Sequence, residues 1–256
     1  LETYKYGMPG EENQPQEEAW AFDIATKKGV KLQTDAFKDQ QMDLNTAPLT
    51  NLQREKQETE SRWLTVDGSK VYFNRTARDL KRIDIVEADT AAGTAKVIIA
   101  ERSNTYIEIQ PLRTLKTATG ATQLVHWSER DGWGHYYLYD DAGKLIRQIT
   151  SGEFQCLGIT SIDEKTRTLF FTAAGREAGE DPYYVHLYSV GLDGGPVKLL
   201  TPGNFTHSAS MNDKSTFFVN TWTSRRPICR PRSRRASSSP SRSWSRPTMA
   251  SRTCTA

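Results

Sequence analysis

The stretch 127–135 combines the residue types that hydrolytic enzymes use: a serine, a carboxylate and a histidine. Ser128, Asp131 and His135 would serve as nucleophile, orienting carboxylate and general base. However, three residues within eight positions of one hairpin cannot readily converge in these roles, and no Gly-x-Ser-x-Gly turn presents the serine. The pattern favours a structural hairpin whose tryptophans pack between sheets and whose charged residues 129–131 hold the loop. We therefore predict no catalytic residue in this chain.

The side chains that could bind a metal are too widely spaced to form a ligand set. They are His126, His135, His186, His207 and Cys156. His126 and His186 lie among apolar strand residues, which is typical of a histidine with hydrogen-bond partners inside a sheet. The glycine-rich loops Gly-x-x-x-x-Gly-Lys and Gly-x-Gly-x-x-Gly, which bind nucleotides, do not occur. We predict neither a metal nor a cofactor.

Two acidic pairs near the start of the chain could bind a cationic group such as a peptide amine. They are Glu11-Glu12 and Glu17-Glu18, in a polar, proline-containing stretch before the first predicted strand. We interpret this stretch as a solvated loop.

Short strands recur along the chain with a period of about 50 residues. Gly93, Gly143 and Gly194 are 50 and 51 residues apart, and each lies in a turn between an apolar, aromatic strand and a second short strand. The first strands of this series are 19–24, 83–86, 136–140 and 185–188. A second series of β-branched and aromatic strands comprises 70–73, 123–127, 168–172 and 216–220. Two hairpins per period are typical of the four-stranded blade of a β-propeller.

The fold class predicted from this period is all-β, a partial β-propeller of about three to four four-stranded blades in residues 1–222. Residues 62–222 supply about three periods, and residues 3–33 the outer half of one more. A generic β-sandwich is the alternative, but it gives no reason for the period. Residues 51–61 form a charged stretch that could be one helical turn or a loop. A partial ring leaves unpaired strand edges at one end or both.

The net charge of +3 hides two very different segments. Residues 223–256 contain nine arginines, nine serines, four prolines and no acidic residue, so residues 1–222 hold the other 25 basic residues and all 31 acidic ones. We predict that residues 223–256 are a disordered Arg/Ser/Pro-rich tail. The tail is either an arm that binds a polyanion such as RNA or the product of a reading-frame error in GC-rich DNA. No apolar run in the sequence is long enough for a spanning helix, so we expect no membrane span.

An ordered series of motifs in residues 1–222 points to a family. Its centre is Trp127-Ser128-Glu129-Arg130-Asp131-Gly132-Trp133-Gly134-His135, followed by Tyr137-Leu138-Tyr139-Asp140 and Gln148-Ile149-Thr150-x-Gly152. Further members are Tyr6-x-Met8-Pro9-Gly10-Glu11, Arg75-x-x-Arg78-Asp79, Glu101-Arg102-x-Asn104-Thr105-Tyr106, Gly175-Arg176-Glu177, Pro182-Tyr183-Tyr184 and Leu200-Thr201-Pro202. The series resembles the N-terminal β-propeller of the dipeptidyl peptidase IV-type serine peptidases of the prolyl oligopeptidase superfamily, bacterial branch.

The resemblance implies a two-part enzyme that pairs an eight-bladed or similar propeller with a C-terminal α/β-hydrolase domain carrying Ser, Asp and His. Such enzymes release N-terminal dipeptides with proline or alanine second, and an acidic pair in the propeller holds the free amine. We expect the hydrolase domain to be missing from this chain and the family's acidic pair to lie upstream of Leu1. Glu11-Glu12 and Glu17-Glu18 therefore do not inherit its role.

The resemblance also bears on the tail. When the possible codons of residues 247–256 are read one base upstream, they permit a different amino-acid sequence. That sequence resembles the segment that joins the propeller to the hydrolase domain in this family. We hypothesise that the native frame is lost close to Trp222, and we divide the chain into a propeller at 1–222 and a frameshifted tail at 223–256.

The function predicted is the propeller part of a dipeptidyl peptidase IV-like exopeptidase, which gates substrate access and is inactive by itself. Its partners would be peptide substrates, reached through the missing hydrolase domain, with no nucleic acid expected and a homodimer possible in the intact parent. The family suggests an envelope, periplasmic or secreted setting, although the sequence alone leaves localisation unknown. A free-standing propeller that serves as a binding scaffold and a polyanion-binding protein are the alternatives.

Overall fold

The chain folds into short antiparallel strands, as its β-branched and aromatic repeats require. The computed structural model describes residues 16–47, 68–212 and 214–223, and no helix occurs among them. In chain order the strands are β1 (Trp20–Asp23), β2 (Lys28–Lys31), β3 (Gln41–Leu44), β4 (Lys70–Thr76), β5 (Arg82–Asp89), β6 (Ala95–Arg102), β7 (Arg113–Lys116), β8 (Thr122–Ser128), β9 (His135–Asp140), β10 (Leu145–Gln148), β11 (Gln155–Asp163), β12 (Thr168–Ala174), β13 (Val185–Gly191), β14 (Lys198–Leu199), β15 (Thr206–Met211) and β16 (Phe218–Thr223).

Three complete sheets form the centre of the molecule. Each has four antiparallel strands in chain order: β3 to β6, β7 to β10 and β11 to β14. A two-stranded sheet precedes them, β1 with β2, and another follows, β15 with β16. The predicted all-β fold of four-stranded blades is confirmed, and residues 20–31 do form the hairpin expected from half a blade.

Neighbouring sheets stack face to face, so the central strands are buried on both sides. On β9, Tyr136 and Leu138 join the core shared with the third complete sheet, while Tyr137 and Tyr139 join the core shared with the first. A strand covered on both faces needs a continuous apolar run instead of an alternating one. Each fully buried side chain of this size contributes about 1.5–3 kcal/mol to stability. The run of residues 135–139 therefore stabilises two interfaces at once.

The structure differs from the predicted strands in detail. The last strand begins at Phe218 and not at Thr216, because the side-chain carbonyl of Asn212 accepts the backbone N–H groups of Thr216 and Phe217, each at 2.9 Å, and holds both in the turn. That strand ends at Thr223, one residue into the predicted tail. The possible helical turn at 51–61, the residues before Gln16 and the remainder of the tail lie outside the described residues. The division into 1–222 and 223–256 therefore stays a prediction.

The recurrence of the turn glycines has a structural cause. Gly93, Gly143 and Gly194 lie in the turn between the third and fourth strands of successive sheets, with φ of 72°, 87° and 110°. Each turn approaches the outermost strand of the preceding sheet. A Cβ atom would lie 2.5 Å from the Lys31 carbonyl oxygen at Gly93 and 2.7 Å from Arg147 Nη1 at Gly194. At Gly143 it would collide with the carbonyl oxygen of Ile98. Glycine recurs because these turns pack on backbone or side-chain atoms of the preceding sheet.

We predict that Gly143→Ala is markedly more destabilising than Gly120→Ala. Both glycines have positive φ, of 87° and 83°, but a Cβ at Gly120 meets nothing within 4 Å. Gly120→Ala should therefore cost only the backbone strain of about 1 kcal/mol. Gly143→Ala should cost about 1–3 kcal/mol more, because the two sheets must separate to admit the methyl group. Urea denaturation of both variants measures the difference, and equal losses would contradict the sheet contact.

We found no helix among the described residues with the length and apolar character needed to cross a membrane.

Candidate functional site

A cluster of ionisable side chains surrounds the carboxylate of Glu101, at the junction of the first and second complete sheets. Glu101 lies near the end of β6, His126 and Ser128 lie on β8, and Arg130 lies in the loop that joins β8 to β9. We call these four residues the Glu101 cluster. Glu101, His126 and Ser128 are all buried. The sheet order brings residues 25 to 29 positions apart into contact.

Glu101 accepts hydrogen bonds from three sides. Its Oε1 lies 3.1 Å from His126 Nε2 and in direct contact with Arg130 Nη2, and its Oε2 accepts the Ser128 hydroxyl at 3.0 Å. Burial opposes ionisation of this carboxyl, but the hydrogen bond and attraction of His126, followed by those of Arg130, outweigh burial and lower the pKa of Glu101. Burial likewise opposes the charge of Arg130, yet the nearby Glu101 carboxylate leaves the pKa of Arg130 raised. The two groups hold each other ionised.

Two tyrosine rings of β9 complete the surroundings of Arg130. The guanidinium carbon lies 4.5 Å from the Tyr137 ring centre and 5.8 Å from the Tyr139 ring centre, within the range of cation–π attraction. Burial raises the pKa of both phenols, so both are neutral at physiological pH. A fixed ion pair between neutral rings suits the anchoring of a loop. The one ring nitrogen of the cluster without a hydrogen-bond partner, His126 Nδ1, is buried.

Ser128, Asp131 and His135 have separate partners. The Ser128 hydroxyl donates to Glu101, while the Asp131 carboxylate accepts the side-chain amide of Gln148 at 2.6 Å. His135 binds the Thr150 hydroxyl through Nδ1 at 3.1 Å and faces the Gly152 carbonyl through Nε2 at 2.9 Å. The structure therefore does not bring the three together as nucleophile, base and orienting carboxylate.

Cys156 lies beside this histidine, and its surroundings make it unreactive. It is fully buried, with its Sγ atom 3.5 Å from the Thr150 hydroxyl and 3.8 Å from His135 Nδ1. Burial raises the pKa of the thiol to about 12, so the reactive thiolate is scarce at neutral pH.

A histidine and a threonine lie in contact at equivalent positions of two consecutive sheets, which sequence reasoning missed. Thr150 and Thr201, at equivalent positions of these sheets, accept the backbone N–H of Tyr136 and Leu187 at 3.0 and 2.9 Å. His135 and His186, separated by the same interval, contact these threonines through Nδ1: His135 lies 3.1 Å from the Thr150 hydroxyl and His186 lies 2.8 Å from the Thr201 backbone carbonyl. This equal spacing, which matches that of Gly143 and Gly194, could have revealed the contact in the sequence. Glu101 gave no such signal, because its contacts in the cluster join distant parts of the chain.

The other candidate positions have structural partners where they are described. His186 Nε2 lies 2.9 Å from Glu180, and His207 Nδ1 lies 3.2 Å from the Asn220 side-chain oxygen. The Glu17 carboxylate accepts the backbone N–H of Met42 at 2.6 Å, and Glu18 pairs with Lys31 at 2.5 Å. Glu11 and Glu12 lie outside the described residues. Among residues 16–47, 68–212 and 214–223, no three His, Cys, Asp or Glu side chains lie close enough to hold a metal ion.

An arginine near the loop after the second strand of each complete sheet contacts a carboxylate and an aromatic ring, although the carboxylate at the second sheet, Glu101, comes from the sheet before it. In the first sheet Arg75 pairs with buried Asp84 at 2.7 Å beside Phe37. In the third, Arg176 pairs with Glu177 at 2.8 Å and lies 5.3 Å from the Tyr188 ring centre. Because the strands alternate in direction, these loops share one end of the stack with the connections between sheets. At that end of the stack, three arginine–carboxylate pairs hold the loops in place.

We predict that Glu101→Gln lowers the free energy of unfolding at pH 7 by about 2 kcal/mol, because Arg130 loses its buried counter-charge. The folded-state pKa of Glu101 is lowered, so its contribution is present above the unfolded value of about 4.3 and is lost as pH falls through the folded pKa. The difference from the parent protein should shrink below about pH 4.3 in urea titrations. The exposed pair offers a control, since Glu18→Gln should change the urea midpoint much less. A pH-independent difference would contradict this assignment.

Comparison with known proteins identifies the fold and the family. The family model described as the dipeptidyl peptidase IV (DPP IV) N-terminal region matches residues 1–227. Dipeptidyl peptidase 4 of Trichophyton rubrum is 31% identical over 144 residues, which are 55% of this chain and 17% of that protein. Dipeptidyl peptidase 4 of Arthroderma otae is 29% identical over 166 residues, 61% of this chain and 20% of that protein. The chain thus spans about a fifth of the length of these relatives.

Among solved structures, the chain resembles dipeptidyl peptidase 4 of Porphyromonas gingivalis, with a TM-score of 0.65 at 20% identity over 86% of this chain and 28% of that one. This likeness supports the propeller fold. The relatives named above are fungal and this structure is bacterial, so the bacterial branch stays a prediction. Because the family model extends over all five sheets of the described structure, the chain belongs to the dipeptidyl peptidase IV N-terminal region family.

Proposed function

We propose that this chain is the propeller part of a dipeptidyl peptidase IV-like serine exopeptidase, which releases N-terminal dipeptides with proline or alanine in the second position. The observation that carries the proposal is the match of the family model to residues 1–227, the region that contains every described sheet. The relatives are named as dipeptidyl peptidases, and this chain corresponds to a part of each.

In this proposal the propeller restricts access to the catalytic chamber. The central sheets are buried on both faces, so they resist opening to admit a bulky substrate. The loops at one end are fixed by the Glu101 cluster and by the pairs Arg75–Asp84 and Arg176–Glu177. A rigid wall of this kind favours short or unfolded peptide ends over folded proteins. This restriction is a positioning effect and needs no reactive group in the propeller.

The chemistry would come from the Ser, Asp and His of an α/β-hydrolase domain. The serine would attack the peptide carbonyl while histidine takes its proton, and the dipeptide would leave through an acyl-enzyme. In this proposal the described residues with nucleophilic side chains, such as Ser128 and Cys156, carry out none of these steps. Ser128 is bound to an ionised carboxylate, and the Cys156 thiol is protonated at neutral pH.

The first prediction is that the 256-residue chain does not hydrolyse glycyl-proline p-nitroanilide. The release of p-nitroaniline would be followed at 405 nm, on the order of micromolar protein and for hours, with Porphyromonas gingivalis dipeptidyl peptidase 4 as the positive control. Ser128→Ala should be indistinguishable from the parent chain. Turnover above the blank that Ser128→Ala abolishes would refute the assignment of catalysis to another domain.

The second prediction concerns a polypeptide that joins this propeller to its hydrolase domain. It should cleave Ala-Pro or Gly-Pro from a free N-terminus and leave the N-acetylated peptide intact. It should also cleave a short peptide much faster than a folded protein with the same first residues, because the propeller keeps the folded protein out of the catalytic chamber. Mass spectrometry of the products distinguishes dipeptide release from internal cleavage. Efficient internal cleavage, or equal rates on the short and the folded substrate, would overturn the proposed gating.

A further inference from the structure

Arg113, the first residue of β7, has no hydrogen-bond or ion-pair partner among the residues that the structure describes. The other arginines in residues 16–47, 68–212 and 214–223 all contact a carboxylate or a carbonyl oxygen. Burial lowers the pKa of the Arg113 guanidinium, and the nearby Tyr136 acts in the opposite direction. Arginine nevertheless stays protonated at neutral pH. Within this part of the chain its positive charge is therefore partly buried without a counter-charge.

The hydroxyl of Tyr136 is a second polar group that lacks a partner in the described structure. Tyr136 lies on β9 and is only 2% accessible, and its hydroxyl makes no hydrogen bond to any described residue. Burial raises the pKa of this phenol, so the group is neutral at physiological pH and keeps a proton that it can donate. A buried hydroxyl without a partner is rare and costs free energy. It points to a bound water, ion or ligand.

Arg113 and Tyr136 lie on the same face of the second complete sheet. Arg113 is paired with Val125 and Val125 with Leu138, so these three residues form a row across β7, β8 and β9. Tyr136, two residues before Leu138 on its strand, points to the same side as Leu138, into the core shared with the third complete sheet. The guanidinium and the phenol interact electrostatically, but no hydrogen bond joins them. Both therefore have donors left for a third group.

A carboxylate matches these two groups in charge and in shape. The planar guanidinium presents parallel N–H donors that bind both oxygens of a carboxylate, and the phenol adds one more donor. One positive charge balances one carboxylate, whereas a phosphate dianion would bring an excess negative charge into a partly buried place. Solvent reaches the pair from the side of β7, because β7 is an edge strand of its sheet and Arg113 is partly exposed there.

We propose that Arg113 and Tyr136 form a subsite that binds a carboxylate group between the second and third complete sheets. The carboxylate accepts the paired N–H groups of Arg113 and the hydroxyl of Tyr136. Two sources have this chemistry: a free organic acid, and the C-terminal end of a short peptide. The second source rests on the proposed function, whereas the first does not.

The first test compares the thermal unfolding of the 256-residue chain in sodium acetate and in sodium chloride, at pH 7 and equal ionic strength. A ligand that binds only the folded state raises the unfolding midpoint as its concentration increases. When the acetate concentration is about ten times the Kd, the midpoint should lie about 3–5 °C above its value in chloride. Chloride is the reference because a spherical ion cannot bind both arms of the guanidinium.

Variants at the two positions separate binding from folding. Tyr136→Phe keeps the ring contact with Phe171, whose ring centre is 5.7 Å away, and removes only the hydroxyl. In chloride it should be at least as stable as the parent chain, because the lost hydroxyl has no partner, but its Kd for acetate should rise about tenfold or more. Arg113→Met should also fold in chloride and lose the response to acetate. Arg113→Lys keeps the charge without the planar donors and should retain only part of the response.

Tyr188→Phe is the matched control. Tyr188 is fully buried and also packs on Phe171, with ring centres 5.7 Å apart, but its hydroxyl donates to Glu177 at 3.1 Å. This variant should unfold at a lower temperature in both salts and keep the full response to acetate. Circular dichroism verifies that every variant folds.

The second test identifies the source of the carboxylate by ligand-observed NMR titration. Acetate, the dipeptide Ala-Pro and Ala-Pro amide are titrated separately into the parent chain and into Tyr136→Phe. Ala-Pro should bind the parent chain and its amide should not, because the amide has no carboxylate. Tighter binding of Ala-Pro than of acetate indicates a peptide end, and equal binding indicates a free acid. Acetate binding needs no peptidase activity, so the subsite and the proposed function can fail separately.

Three results would overturn the proposal. Equal midpoints of the parent chain in acetate and chloride show that water alone serves the two groups. A response to acetate that Tyr136→Phe retains in full shows that the anion binds elsewhere. A large loss of stability of Arg113→Met in chloride shows that Arg113 already has a carboxylate partner within the chain.

Discussion

The structure depends on the mutual burial of neighbouring sheets. No single sheet has a core of its own, because each is only one layer thick, and its apolar side chains are shielded solely by the layers on either side. This constraint explains the continuous apolar run of β9, the bulky rings Tyr136 and Tyr188 at the interfaces, and the glycines where turns meet the preceding sheet. It also explains why the terminal half-sheets expose large side chains.

The Glu101 cluster has a different place in this arrangement. It lies where a strand end, a neighbouring strand and a loop from two sheets meet, so the apolar packing of the central faces cannot fix the loop there. A buried carboxylate with an arginine, a histidine and a serine as partners fixes the loop through directional hydrogen bonds and electrostatic attraction. Of the residues that look most like an active site in the sequence, Ser128 is occupied by this task, while Asp131 and His135 bind other structural partners. Such a role is consistent with the proposed function, in which the propeller shapes access and another domain performs the chemistry.

Much of the fold could be predicted from local sequence, because the period of the turns and the apolar strands is visible in the chain. The strand at 168–172 and the turns at Gly93, Gly143 and Gly194 are of this kind. The first strands of the sheets, such as β3 and β7, were harder to predict, because each is short and has few apolar residues. The Glu101 cluster could not be found, since its contacts join distant parts of the chain and depend on how sheets stack. The start of β16 was misplaced because one side chain, Asn212, captures two backbone donors that a strand would use.

The repeated contact between a histidine and a threonine has a consequence for how the molecule unfolds locally. His135 with Thr150 and His186 with Thr201 each connect the third strand of a sheet to the segment that leaves for the next sheet, so the second and third complete sheets are linked in series. A series of nearest-neighbour units frays from its ends, and its middle is the last part to exchange amide hydrogens with solvent. Among the described strands we therefore expect the backbone amides of β8 and β9, in the middle of the stack, to exchange most slowly, and those of the outer hairpins to exchange faster.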